Sequence, residues 1–239
     1  MTEKKGIKAD FNLITILIIP IAIAVNFICG NLVLTLKLPL YLDSIGTFLV
    51  AILAGPWVGA LTGLLSIAIN SIADPSLLPF ALIAGVLGGV TGIFARKGMF
   101  TKFWKFIVSA IVASVVAVIM SVIVSYVFFG GFDTSGNSIL IAGMISAGVP
   151  FWPAQVIGNF ISEVPDKFLS LLVPYLVIRG MSDRYLYKFS NGHVFIDARK
   201  PEKNIPMRAT RIMGCIKPRA RESAVSDVTD IRRTLPSFN

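Results

Sequence analysis

The sequence predicts an all-α integral membrane protein: a six-helix transmembrane bundle with both termini cytoplasmic and a basic soluble C-terminal tail. Three observations carry this. Of 239 residues, 55% are hydrophobic and only 15% charged, against about a quarter charged in soluble domains. Apolar runs of about 20 residues, enough to span a bilayer, recur along the chain. Of the 35 Lys, Arg, Asp and Glu residues, 19 lie in the last 61 positions. A soluble metabolic enzyme is excluded.

The charge divides the chain into segments. Residues 1–178 hold 9 basic and 7 acidic residues, a net of +2, whereas 179–239 hold 13 and 6, a net of +7. The predicted domains are a cytoplasmic N-terminus (1–10), a six-helix transmembrane domain (11–178) and a basic cytoplasmic tail (179–239), partly disordered. No nucleic-acid-binding motif accompanies the basic tail, which fits the positive-inside rule beside anionic lipid. Cys29 lies in an apolar run and Cys215 in the tail, and His193 is the one histidine. None has metal-ligand company, so neither a metal site nor Cys–His catalysis is expected.

The first helix is the run 11–36, too long for a signal-peptide core and lacking a clean cleavage site. Lys37-Leu38-Pro39 closes it, because proline lacks an amide donor and restrains its predecessor. The stretch 41–72 exceeds one crossing and is divided at Gly55-Pro56. It predicts two short helices, 42–54 and 57–72, joined by a tight turn. Asp74-Pro75-Ser76 makes a loop before a helix over 77–95, and 104–129 forms the next. Residues 130–137 read as a loop. Pro150 and Pro153 then divide a segment 138–149, re-entrant or capping, from a final helix over 154–178.

Six crossings place both ends on one side. Lys4, Lys5, Lys8, Arg96, Lys97, Lys102, Lys105, Arg179, Arg184 and Lys188 share that side, while the opposite loops hold Lys37 alone beside Asp43, Asp74 and Asp133. The asymmetry makes both termini cytoplasmic in the cell membrane.

Small residues recur at helix-packing spacing: Ala51, Gly55, Gly59 and Gly63, then Ala81, Gly85, Gly88, Gly89 and Gly92. In lipid such stripes are chiefly packing seams. Asn26, between Ala22 and Gly30, is an amide in an apolar span; it either bridges to a neighbouring helix or lines a cavity.

Ionisable residues at depth are more telling, since each costs about 2.5–3.5 kcal/mol on insertion scales unless paired or hydrated. Glu163, Asp166 and Lys167 fall within the last helix, about 16–22 Å from its cytoplasmic end by helical rise. Glu163 and Lys167 are four apart and can pair. Pro165 between them suggests a helix break beside a polar site. The cluster is either an ion pair locking the bundle, with Asp166 turned to water, or a ligand contact. Gln155 and Asn159 extend its face outward. On the same side, Asp43, Ser44 and Thr47 open the second helix, where capping is the expected role of Asp43. Asn70 and Asp74 end the third helix at that level.

These features resemble the substrate-binding S components of energy-coupling factor (ECF) transporters over about residues 10–180. The resemblance rests on six helices with both termini inside and on Leu-Pro-Leu-Tyr-Leu-Asp-Ser-Ile-Gly-Thr (38–47) opening the second helix. Ala54-Gly55-Pro56-Trp57-Val58-Gly59 followed by Gly63, and the Glu163–Lys167 cluster, complete it. It implies a non-enzymatic subunit that captures a vitamin-like or other small nutrient from outside, using the loops after helices one and three and the outer part of helix six. Such subunits topple in the membrane, driven by a transmembrane coupling subunit and two ATPase subunits. This chain has no Gly-x-x-x-x-Gly-Lys-Ser/Thr motif, so ATP hydrolysis is expected on partners and no cofactor on this chain.

The expected substrate-binding residues are Asp43, Asn70, Asn159, Glu163, Asp166 and Lys167, with Tyr41 and Trp152 as flat apolar walls. Both charge signs are present, leaving the substrate's charge open. In place of two alanines four apart, Ala22, Asn26 and Gly30 are the expected contact with the coupling subunit. Two rival readings are a membrane sensor with the tail as output and an ion-coupled secondary transporter using Glu163 or Asp166. The first suffers from a short tail without a clear core, the second from the lack of an inverted repeat.

Overall fold

The computed structural model describes residues 10–36, 38, 40–133 and 136–199. Lys4, Lys5, Lys8, Lys37, Cys215 and the tail from 200 onward lie outside them. Every regular element among the described residues is helical: α1 (Leu13–Thr35), α2 (Ile45–Ala54), α3 (Pro56–Ala73), α4 (Ala81–Arg96), α5 (Phe103–Phe129), α6 (Gly136–Ser146), α7 (Phe151–Gly180), α8 (Asp183–Leu186) and α9 (Gly192–Arg199), with a 3₁₀ turn over Pro75–Phe80. Four segments are long and apolar enough to cross a membrane, namely α1, α3, the 3₁₀ turn continuing into α4, and α5. The chain has the make-up of a membrane protein.

Its side chains are sorted as lipid requires. Leu17, Ile21, Ile28, Trp104, Ile119, Phe160 and Leu176 are exposed, while Asn26, Ser66, Ser121, Asn159, Glu163 and Lys167 are buried. Polar groups turn inward because hydrocarbon offers them no hydrogen-bond partner. α7 states this most clearly, burying Gln155, Asn159, Ser162, Glu163, Asp166, Lys167 and Ser170 along one face.

The Gly55-Pro56 turn is a helical hairpin. Gly55 has φ 110°, a conformation that favours glycine, and Pro56 starts α3 at a position where no amide hydrogen is needed. A side chain at Gly59 would meet the Ala51 Cβ at 2.5 Å, so α2 and α3 run back against each other. α3 and α4 also pack backbone to backbone: a Cβ at Gly63 would strike the Ala84 carbonyl, and one at Gly88 the Gly59 carbonyl. The small-residue stripes are seams within this chain.

α2 has ten residues, about 15 Å and half the hydrocarbon thickness. The irregular segment 40–44 precedes it and doubles back along α1. Asp43 lies against Gly30, and Gly46 against the backbone of Ala22. Asn26 fixes this register: its amide donates to Thr47 Oγ1 and Ser66 Oγ, both at 2.9 Å, and its carbonyl accepts from Gly46 N at 2.6 Å. Of the two roles open to Asn26, bridging is the one it fills. Ala22, Asn26 and Gly30 are therefore turned into the bundle, which corrects their expected role as an outward partner contact. Asn26 also supplies the bond to the first turn of α2 that was expected of Asp43, and the Ser44 side chain makes none.

One end of the bundle is latched by Asp10, which is fully buried, accepts from Arg96 at 2.5 Å and faces Gly55. At this end Asn191 donates to the carbonyls of Leu53 and Ile52, at 3.0 and 3.1 Å. Arg199 of α9 caps α7 by donating to the carbonyls of Ile178, Arg179 and Met181, groups that a helix C-terminus leaves unpaired. The packed unit thus runs to Arg199, beyond the boundary expected at 178. α7 also differs from expectation at Pro165, since it passes through that residue, and through Pro174, as one helix with no break. Its start at Phe151, with Pro150 as cap, places α6 as a separate short helix packed on it.

Candidate functional site

At the end opposite Asp10, the bundle encloses a cavity of about 90 Å³. One water needs roughly 10–15 Å³ on this measure, so there is space for several waters or a small molecule. Five of the eight residues expected to bind substrate line it: Tyr41, Asp43, Asn70, Glu163 and Lys167. Ile67, Phe80, Ile83 and Leu87 provide apolar wall.

Lys167 organises the polar side. Its Nζ lies 2.5 Å from Asp166 Oδ2 and 2.9 Å from Glu163 Oε2, and 5.7 Å from the centre of the Tyr41 ring. The ring distance is within cation–π range. The i,i+4 spacing of Glu163 and Lys167 produces the second of these pairs. Glu163 Oε1 accepts from Ser121 Oγ of α5 at 2.5 Å, while Oε2 meets Lys167 without hydrogen-bond geometry.

Asp166 is fully buried and is not turned to water. Its Oδ1 accepts the backbone amides of Tyr41 and Leu42 at 3.0 and 2.6 Å. Leu42 has φ 47°, a left-handed conformation that costs about 1–3 kcal/mol outside glycine and needs firm support. Asp166 is therefore a positioning residue: it ties segment 40–44 to α7 and presents Tyr41 and Asp43 to the cavity.

Asn159 and Trp152 lie elsewhere. Asn159 accepts from Asn137 Nδ2 at 3.1 Å and donates to the Gln155 carbonyl at 2.9 Å, while Asn137 also accepts from Ser162. The two bonds of Asn137 fasten α6 to α7. Gln155 donates to the Gly131 carbonyl and braces the preceding loop. Trp152 is half exposed and packs on Tyr126 and Phe151.

Several lining residues have little sequence signal as site residues. Gly30 admits the cavity by lacking a side chain, Ser121 sits in the small-residue face of α5, and Asp133 projects from the 130–137 loop. Asp133 accepts from Ser138 Oγ at 2.6 Å, and Asp74 accepts from the Ser76 amide and hydroxyl. Asn70 stands out: it is 6% exposed, lines the cavity, and its Oδ1 has no partner.

No family model, curated protein or solved structure matches the chain.

Proposed function

We propose that the protein is the substrate-capture subunit of an ECF-type, ATP-driven importer, taking a vitamin-like or other small nutrient from outside the cell. One observation carries the reading: a single cavity gathers Asp43, Asn70, Glu163 and Lys167 in a bundle that exposes many large apolar side chains. Buried polar groups that do not all satisfy one another are costly in lipid, and a bound polar ligand accounts for them.

In this reading the bundle makes six crossings, α7 being the last and segment 40–54 the second, in the cell membrane. The Asp10 end faces the cytoplasm and the cavity opens outside. The hydrogen bond that Ser190 Oγ donates to Asp10 Oδ1, at 3.4 Å, brings the two ends of the helical region together and supports an even number of crossings. The positive-inside distribution supports the orientation. The protein has no catalytic activity of its own; a coupling subunit and ATPase subunits supply the drive.

The test is mass spectrometry of small molecules released from the detergent-purified protein and from Glu163→Gln. The reading expects a stoichiometric nutrient in the parent and its loss in the variant. Folded parent protein purified without any small molecule would overturn it.

A further inference from the structure

The cavity has an imbalance that defines the chemistry of its occupant. The carboxylates of Asp43, Asp74, Asp133 and Glu163 line the cavity and Asp166 adjoins it, against one ammonium, Lys167. With all six ionised the net charge is −4. Lys167 is already shared between Asp166 and Glu163, with the Tyr41 ring beside it. It has little left to offer an anion.

The hydrogen-bond inventory points the same way. The Ser44 hydroxyl donates to Asp43 and the Ser121 hydroxyl to Glu163. Lys167 and the Asn70 amide nitrogen apart, these side-chain donors are committed. Acceptor capacity remains: Asn70 Oδ1 has no hydrogen bond, Glu163 Oε2 has only the Lys167 ion pair, and Asp43 receives only the bond from Ser44. Buried acceptors without donors, and buried negative charge without a counter-ion, both cost stability until a complementary group arrives.

A metal ion does not fit this arrangement. Among the described residues no three His, Cys, Asp or Glu side chains converge to hold one. The carboxylates instead face apolar and aromatic wall, including Tyr41 and Phe80, which suits a cation with an organic body.

We propose that the cavity selects a small organic cation, a protonated amine, whose N–H groups meet Asp43, Glu163 Oε2 and Asn70 Oδ1 while its apolar part lies against Tyr41 and Phe80. This rests on the capture reading and narrows it to one charge class.

The test uses ring-matched probes of opposite charge: benzylamine, benzyl alcohol and benzoate, added to the purified full-length protein stripped of endogenous ligand. Melting temperature and isothermal titration are the readouts. The expected result is stabilisation and measurable binding by benzylamine, at least tenfold tighter than benzyl alcohol, with no binding of benzoate. Asp43→Asn and Asn70→Leu should each weaken benzylamine binding at least tenfold; for any variant that fails to fold, the parent's charge preference is decisive. Preference for benzoate, or equal binding of all three, overturns the cation assignment but leaves capture standing. No binding of any probe overturns the assignment as well. Whether capture falls with it is decided by the small molecule released from the parent: an anion refutes only the charge class, and none at all refutes both.

Discussion

Replacing Lys167 with methionine isolates the energetic role of the ammonium, because methionine keeps the unbranched apolar stem and removes the charge. In the native protein the Glu163, Asp166 and Lys167 side chains are at most 5% exposed. Removing one partner of a buried ion pair costs about 3–5 kcal/mol. The lower end applies here: Asp166 keeps the Tyr41 and Leu42 amides, and Glu163 keeps Ser121. A loss of about 3 kcal/mol is roughly a hundredfold in the unfolding equilibrium. The assay is reversible unfolding of the purified protein in mixed detergent micelles, followed by helical circular dichroism. A triple variant, Glu163→Gln with Asp166→Asn and Lys167→Met, should recover most of the loss, since a neutral set no longer strands a buried charge. A Lys167→Met protein within about 0.5 kcal/mol of the parent would refute the reasoning. It would mean that the cluster is hydrated well enough to need no counter-charge.

Two further outcomes follow from the packing. Asn26→Leu removes three interhelical hydrogen bonds. At about 0.6 kcal/mol each for bonds within membrane bundles, it should cost about 2 kcal/mol by the same unfolding measurement; no loss would show that Asn26 does not hold the α1–α2–α3 register. Gly88→Val drives side-chain atoms into the Gly59 backbone, which no rotamer change relieves. It should destabilise by at least about 1–3 kcal/mol, whereas Gly143→Val, at a position with nothing within 4 Å, should leave the melting temperature near the parent's.

Most helix positions were legible in the sequence, because each rests on a local signal. Gly55-Pro56 divides α2 from α3, Pro150 precedes α7, and apolar length marks α1 and α5. The Glu163–Lys167 pair was legible for the same reason, being one helical turn apart. The rest depends on contacts between distant parts of the chain. Nothing local shows that Asp166 holds the amides of Tyr41 and Leu42, 125 and 124 residues away, or that Ser121 reaches Glu163. Asn159 has the same residue type and burial as a ligand-binding amide, and only the position of Asn137 shows it fastening α6. Pro165 misled for a physical reason: in a long buried helix, packing on both sides holds the helical path where proline removes one hydrogen bond. The face containing Ala22, Asn26 and Gly30 reads equally as an inward or an outward seam, since lipid and protein interiors are alike in polarity.

The central claim is that the cavity beside Lys167 holds a small molecule, and filling it from Gly30 tests this without altering any charge. A Cβ at Gly30 would stand 3.3 Å from the Asp43 Cβ and 3.9 Å from Asn70 Nδ2, so Gly30→Leu projects a side chain into the cavity. Native mass spectrometry of parent and variant from the same membranes is the direct measurement. The account predicts one bound small molecule per parent chain and none on Gly30→Leu, with the variant's helical content unchanged. Equal occupancy of both proteins would place the ligand elsewhere and contradict it.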